Sequence, residues 1–475
     1  MSRVATVLRA RTGACLLAVL SAGCGGTGVP APAKVVVSPA AASVLVGGEM
    51  CFRALVRDGG GGVTWTVVEG PAGGAVLADG CYLAPHTPGT FHLRATSADD
   101  PGQRGEASLT VTGYARTMRR VADGSSARDL HTATILEDGT VLVVGGAGPG
   151  GAVALADRYL PADGTFVPAG ALRTPRIAHG AAPVPGGRVL VGGGWDPGSP
   201  GTGFDPALRS TEIWDPSRSA FTPGPDMVFP RRHATFTALP DGRVFVAGGI
   251  QLRGTGFGAS PNTEVYDPRS STFVEGPRMV AALGRWLHTA TLLEDGRVLL
   301  VGGRDNNCGT SCAYASLGTA EIYDPVTARF AATGSLRVSR FGHTATRLAD
   351  GRVLVLGGTT SEDLGVPSDQ VTSAEAWDPA TGEFSPAGST LEGRSFAALA
   401  DLNDDTVLLV SGYDLYDSPV ATTEIFDPRT GASTPGPEGS DWRMRATATK
   451  LRTGEVLVVG GNNSGGPVLP VDLFR

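Results

Sequence analysis

His131, His179, His288 and His343 occupy one place in a recurring stretch of sequence; His233 is one residue out of step, and Ala397 and Ala446 take that place in the last two copies. Imidazoles supply general bases and metal ligands, but either role needs several donors brought together. These lie one per copy, so buried, hydrogen-bonded side chains are the expectation. Three residues before each histidine place stands an arginine: Arg128, Arg176, Arg231, Arg285, Arg340, Arg394 and Arg443. Further along each copy comes an acid: Asp157, Glu212, Glu264, Glu321, Glu375, Glu424 and Asp472. Bases and acids at matching places predict one structural ion pair per copy, within a repeat or across each junction. Repetition marks architecture, whereas a binding site normally breaks symmetry. No Ser-His-Asp arrangement with distinctive context, phosphate loop or His-x-x-x-His pair is present. No catalytic residue, metal or cofactor is therefore expected, and the chain reads as a non-enzyme.

The elements that position these residues can be read from one copy, His288-Thr-Ala-Thr-Leu-Leu-Glu-Asp-Gly-Arg-Val-Leu-Leu-Val-Gly-Gly303. Thr-Ala-Thr-Leu-Leu alternates like a strand. Asp-Gly supplies the positive φ of a tight hairpin. Arg-Val-Leu-Leu-Val is a second strand, apolar on both faces. Ala-Glu-Ile-Tyr-Asp-Pro then gives a third strand ended by proline, and a Phe-x-x-x-Gly stretch gives a fourth. The glycine pair recurs at Gly145, Gly193, Gly248, Gly302, Gly357 and Gly460, with Ser411-Gly412 once, making seven copies 48 to 55 residues apart. A period near 50 with four strands per unit resembles the kelch repeat. The resemblance implies an all-β fold, a seven-bladed kelch-type β-propeller over residues 114–475 whose units stack into a closed ring. The last copy ends at Val471–Arg475, one strand short. Phe166, Phe221, Phe330 and Phe384 lie ten residues before an arginine of the series, and so does Met118. Residues near Met118 are thus expected to close the ring.

Residues 34–113 differ: short alternating stretches such as Val63-Thr64-Trp65 are separated by Gly, Pro and Asp clusters. Ser38-Pro39, Gly47-Gly48, Gly80-Cys81-Tyr82-Leu83-Ala84-Pro85, Pro88-Gly89 and Ala95-Thr96-Ser97 resemble bacterial immunoglobulin-like domains of the Big family. That implies a small β-sandwich acting as spacer or adhesion module, with Trp65 in its core.

Arg3, Arg9 and Arg11 precede an apolar run from Ala14 to Leu20, too short to span a bilayer, and then Ser21-Ala22-Gly23-Cys24. This is similar to a bacterial lipoprotein signal, residues 1–23, with Cys24 lipidated and residues 24–33 as a flexible tether. Ser21 stands where such signals prefer an aliphatic residue, and an ordinary secretory signal is the alternative. Cys51, Cys81, Cys308 and Cys312 remain, and an even count in an exported chain predicts local disulfides, Cys51 to Cys81 and Cys308 to Cys312. A metal site at Cys308-Gly-Thr-Ser-Cys312 is the rival, lacking two further ligands.

The loop into the first strand and the loop after the glycine pair open on one face. From the second glycine to the acid the spacing is 11, 18, 15, 18, 17, 12 and 11 residues, so units two to five are longer there. Those loops carry Trp195, Phe204, Phe257 and Tyr314, which could stack on sugar or grip a peptide. Neutral loop growth is the alternative.

A net charge of −7 with no basic stripe excludes nucleic acid as a partner. The chain is therefore expected to be an exported, lipid-anchored, monomeric binding protein for a protein or carbohydrate, held at a bacterial membrane or cell surface by its N-terminus alone. One alternative is an adhesin or spacer. The other is an enzyme, because the pairing of propeller and immunoglobulin-like domain resembles galactose oxidases, copper-radical enzymes. That resemblance implies a cysteine crosslinked to a tyrosine, with further Tyr and His ligands. After residue 120 the cysteines are Cys308 and Cys312, close enough in sequence to pair with each other.

Overall fold

The computed structural model describes residues 35–57, 61–124, 126–198, 207–253, 256–281, 284–308, 312–360, 369–414 and 420–475. Among them the chain is nearly all β, with a single 3-10 turn at Gly70–Gly73. No helix among them is long and apolar enough to cross a membrane.

Seven four-stranded antiparallel sheets carry the repeat. In the fourth, Thr289–Leu292 pairs with Val298–Val301, which pairs with Ala320–Asp324, which pairs with Arg329–Ala332. The first strands run Thr132–Ile135, Gly180–Val184, Thr235–Ala238, Thr289–Leu292, Thr344–Arg347, Ala398–Asp401 and Thr447–Lys450. Each adjoins the next, and the last adjoins the first, so the sheets form a closed ring of blades. Met118–Arg120 supplies the fourth strand of the last sheet, with Met118 opposite Phe474. That is the place its spacing predicts.

The second strands are apolar throughout because a blade is covered on both sides. Val298 and Leu300 pack toward Phe245 and Ala247 of the preceding blade. Leu299 and Val301 pack toward Val353 and Val355 of the following one. A strand's period of two thus feeds two cores at once, each fully buried Val or Leu contributing about 1.5–3 kcal/mol. The glycine pair lets the chain leave this strand under its neighbour. Gly302 has φ +58°, and a Cβ there would sit 2.7 Å from the carbonyl oxygen of Arg340 in the next blade.

The repeated bases meet their acids inside each blade. Arg128 pairs with Asp157 at 2.7 Å, Arg176 with Glu212 at 3.2 Å, Arg231 with Glu264 at 2.9 Å and Arg285 with Glu321 at 2.5 Å. Arg340 pairs with Glu375 at 2.8 Å, Arg394 with Glu424, and Arg443 with Asp472 at 2.7 Å. All fourteen side chains are buried. Arg285 also donates to the carbonyls of Gly302 and Thr319, while Glu321 accepts the backbone N–H groups of Val280 and Ala281. Each pair therefore ties the loop into a blade to its second and third strands.

The four histidines at the repeated place join one blade to the one before it. His131, His179, His288 and His343 hydrogen-bond through Nε2 to the hydroxyls of Thr447, Thr132, Thr235 and Thr289 at 3.0–3.2 Å.

Residues before the ring form a small β-sandwich. Ala41–Leu45, Arg104–Thr112, Gly89–Ser97 and Val63–Val67 make one four-stranded sheet, facing shorter sheets that include Val35–Ser38 and Cys81–Leu83. Val35, Phe52, Tyr82, Leu93 and Leu109 fill its core, with Trp65 packed against them. A disulfide joins Cys51 and Cys81. The sandwich rests on the hairpin turns of the last blades: Glu49 pairs with Arg452 at 3.2 Å, and the Tyr114 hydroxyl donates to the Gly454 carbonyl.

Candidate functional site

Two residues after each repeated arginine the chain turns into the left-handed region. Leu130, Ala178, His233, Leu287, Phe396 and Arg445 have φ of +50 to +55°, and Gly342 has +60°. A non-glycine residue held there costs roughly 1–2 kcal/mol, so surrounding structure must enforce it. The enforcement comes from two runs of backbone hydrogen bonds beside the axis. Ala178 donates to Leu130, His233 to Ala178, Gly342 to Leu287, Phe396 to Gly342 and Arg445 to Phe396, at 2.7–3.2 Å. Five of these seven residues line an axial cavity of about 420 Å³.

The walls come from the flanking positions. The residue just after each repeated arginine bridges the residue just after the glycine pair, as in Arg232 with Ile250, Trp286 with Arg304, and Phe341 with Thr359. The two loops expected on one face are thus hydrogen-bonded together. After the glycine pairs of the third and fourth blades the chain forms hairpins, Ile250–Arg253 with Gly256–Ala259 and Arg304–Cys308 with Cys312–Ser316, which pack side by side.

Three arginines line the cavity, Arg232, Arg304 and Arg445. Each guanidinium lies against aromatic rings. Arg304 sits 5.2 Å from the Trp286 centroid and 4.5 Å from that of Phe341. Arg445 sits 5.5 Å from Phe396 and 5.4 Å from Tyr413, and Arg232 lies 5.3 Å from Trp195. Stacking occupies the guanidinium face and leaves its donors in the plane. Arg445 also reaches the buried Asp129 at 3.7 Å. Burial, then the charges of Arg232 and Arg445, pull the His233 imidazole down to about 3, so it is neutral at ordinary pH.

Of the residues singled out in the sequence, Trp195 stands at the rim, bridging Ile177 and Ala207. Cys24 and Phe204 lie outside the described residues. For Phe257, Tyr314, Cys308 and Cys312 the backbone alone is described, with Cys308 and Cys312 opposite one another near the hairpin tip. His233 departs from expectation, since it belongs to the left-handed ring and not to the clasps between blades. Arg232, Arg304, Phe396 and Arg445 were not anticipated. For Phe396 and Arg445 the signal is the place two residues after each arginine, which reads Leu, Ala, His, Leu, Gly, Phe, Arg in an otherwise regular repeat; Arg232 and Arg304 stand elsewhere, one residue after Arg231 and one after Gly303.

No protein family's sequence profile matches the chain. A stretch of 91 residues, 19% of the chain, is 33% identical to galactose oxidase of Gibberella zeae, of which it spans 11% of the length. A fungal alcohol oxidase of the AA5 family, solved in complex with copper, superposes with a TM-score of 0.56 at 19% identity, over 75% of each chain. The structure of YjhT superposes at 0.50 and 13% identity, over 66% of this chain and 98% of that one. The protein has a galactose-oxidase-like propeller. The expectation of a non-enzyme is corrected by the stretch shared with galactose oxidase, while the likeness to the alcohol oxidase is one of fold.

The residues described do not fit the copper of such oxidases. Copper(II) takes imidazole, phenolate and other N or O donors. Among the described residues the cavity lining holds one imidazole, His233, with no cysteine or tyrosine, and sets three cations beside it. Among the described residues the one converging group of His, Cys, Asp or Glu donors is Glu49, Cys51 and Cys81, whose sulfurs are joined in the disulfide.

Proposed function

We propose that this chain is an enzyme acting on a carbohydrate at the axial cavity of its galactose-oxidase-like propeller. The left-handed ring carries the reading: strained backbone at five blades turns the unlike side chains of Leu130, His233, Leu287, Phe396 and Arg445 toward one cavity, in a fold that otherwise repeats. The stretch shared with galactose oxidase supports it. Trp286, Phe341 and Phe396 give the cavity apolar wall against which the C–H groups of a sugar would pack, and Gln370 offers an amide to its hydroxyls. The guanidiniums of Arg232, Arg304 and Arg445 would stabilise negative charge developing on a sugar oxygen. No step is assigned to copper.

The Cys51–Cys81 disulfide supports export to an oxidising compartment. In this reading Cys24 carries the lipid, and the sandwich is a Big-type spacer holding the propeller off the membrane. The partner is then a glycan, met on the loop face.

The test is a panel of mono- and oligosaccharides incubated with the full-length protein and followed by NMR and by peroxide release. One sugar should be converted, conversion should survive dialysis against a chelator, and Phe396→Ala should lower kcat/KM by ~10-fold or more. Conversion of no sugar would overturn the reading; conversion that needs added copper would overturn its copper-free part.

A further inference from the structure

We propose that the axial cavity takes a sugar bearing a carboxylate, a hexuronate unit, held by the guanidiniums of Arg232, Arg304 and Arg445. This rests on the reading of the chain as a carbohydrate enzyme and names the class of sugar.

The charge of the wall is the first argument. Among the described residues three arginines and no Asp or Glu side chain line the cavity, with Asp129 standing behind Arg445 at 3.7 Å, in a chain of net charge −7. A cationic concavity in an acidic protein focuses field on an anion. Burial first, and then the charges of Arg232 and Arg445, hold the His233 imidazole neutral, so it offers this anion no charge of its own.

Geometry is the second. A guanidinium presents donors in a rigid fork that matches a carboxylate with two parallel hydrogen bonds. Rings already fix the planes of these forks: Arg304 lies over Trp286 and Phe341, and Arg445 over Phe396 and Tyr413. Little side-chain freedom is left to lose when an anion binds. Lysine would supply charge without that preorganisation, and none lines the cavity among the described residues.

The third is the match to the rest of a sugar. The Gln370 side chain donates to the Asp414 carbonyl at 3.0 Å, while its buried Oε1 finds no partner among the described residues. A hydroxyl of the bound sugar would supply that donor. About 420 Å³ lies within the roughly 300–1,000 Å³ typical of small-molecule sites, enough for one or two sugar units.

The experiment is equilibrium binding of three probes to the full-length protein: digalacturonate, the neutral digalactoside and a sulfated digalactoside. Digalacturonate should bind at least ~10-fold tighter than the neutral probe. Arg304→Gln and Arg445→Gln should each abolish that preference with the melting temperature held within a few degrees. If Arg304→Gln fails to fold, Arg304→Lys keeps the charge without the fork, and should lose most of the preference. Equal binding of acidic and neutral probes, tighter binding of the sulfated probe, or folded arginine variants that keep the preference would each overturn the inference. Turnover of a neutral sugar untouched by the arginine variants would overturn it and leave the carbohydrate enzyme standing. Tight digalacturonate binding with no sugar converted would sink the enzyme and leave the inference.

Discussion

Phe396 donates its backbone N–H to the carbonyl of Gly342 at 2.7 Å, joining the sixth blade to the fifth at the axis. Both residues are left-handed, and the bond is one link in the chain that runs on to Arg445. The side chains that face the cavity thus sit on backbone locked by its neighbours on either side. A site built this way loses little on binding and tolerates changes of side chain better than changes of backbone.

Gly342 is the place to test this. Its φ of +60° is already shared by six non-glycine residues of the ring, and a Cβ there would meet the Phe396 ring edge at 2.9 Å. Gly342→Leu should therefore fold, losing about 1–2 kcal/mol to the left-handed conformation. It should also fill the cavity and weaken sugar binding. Urea melts and binding on the same sample check both, and unchanged affinity in a folded variant would move the site off the axis.

Acid should loosen the clasps between blades. Burial holds His131, His179 and His343 at about 3, against roughly 6.5 in an unfolded chain. The unfolded state therefore takes up protons first. Stability is full above pH ~6.5 and falls toward pH ~3, by about 1.4 kcal/mol per pH unit for each histidine. His179 bonds Thr132 through Nε2 and the Arg176 carbonyl through Nδ1, so its Nδ1 donates and its Nε2 accepts. His179→Gln should cut the loss between pH 7 and 4.5 by about 2–3 kcal/mol. An identical slope in the variant would show that this histidine is not the titrating group.

The repeated ion pairs should behave as architecture. Arg285 and Glu321 are buried, whereas Arg347 and Glu294 make a pair of 3.9 Å in solvent. Glu321→Gln leaves a guanidinium in the interior without its counter-charge and should cost about 3–5 kcal/mol. Glu294→Gln should cost under about 1 kcal/mol. Comparable losses in urea melts would contradict the structural role.

The sequence carried most of the ring and little of the cavity, for one physical reason. Packing imposes the same demands on every blade, so Arg285 and Glu321, the glycine pairs and the Val298–Val301 strand recur where a period can be counted. The site arises where those demands lapse. Arg304 and Phe341 lie 37 positions apart and meet because one blade follows the next around an axis. Phe396 and Arg445 share no pattern with their counterparts; what unites them is a left-handed φ, which amino-acid type does not reveal outside glycine. Trp195 was legible because it sits in a visibly lengthened loop, but its arginine neighbour at position 232 was hidden beside the repeated Arg231.

Closure of the ring can be tested one hydrogen bond at a time. The outer strand of the last blade is held by Thr117 donating to the Arg475 carbonyl, Arg475 donating to that of Thr117, and Val121 donating to that of Val471. In an antiparallel pair these groups alternate, so the N–H of Arg120 points to the open side. Proline removes one donor and is tolerated at a sheet edge where that donor faces solvent. Val121→Pro should therefore cost about 2–3 kcal/mol, because it leaves the Val471 carbonyl without its donor and loosens the strand that covers Phe474. Arg120→Pro, one residue away, should cost about 1 kcal/mol or less. Melting both variants beside the parent chain gives the comparison. If position 120 proves the more sensitive, the register that pairs Met118 with Phe474 is wrong.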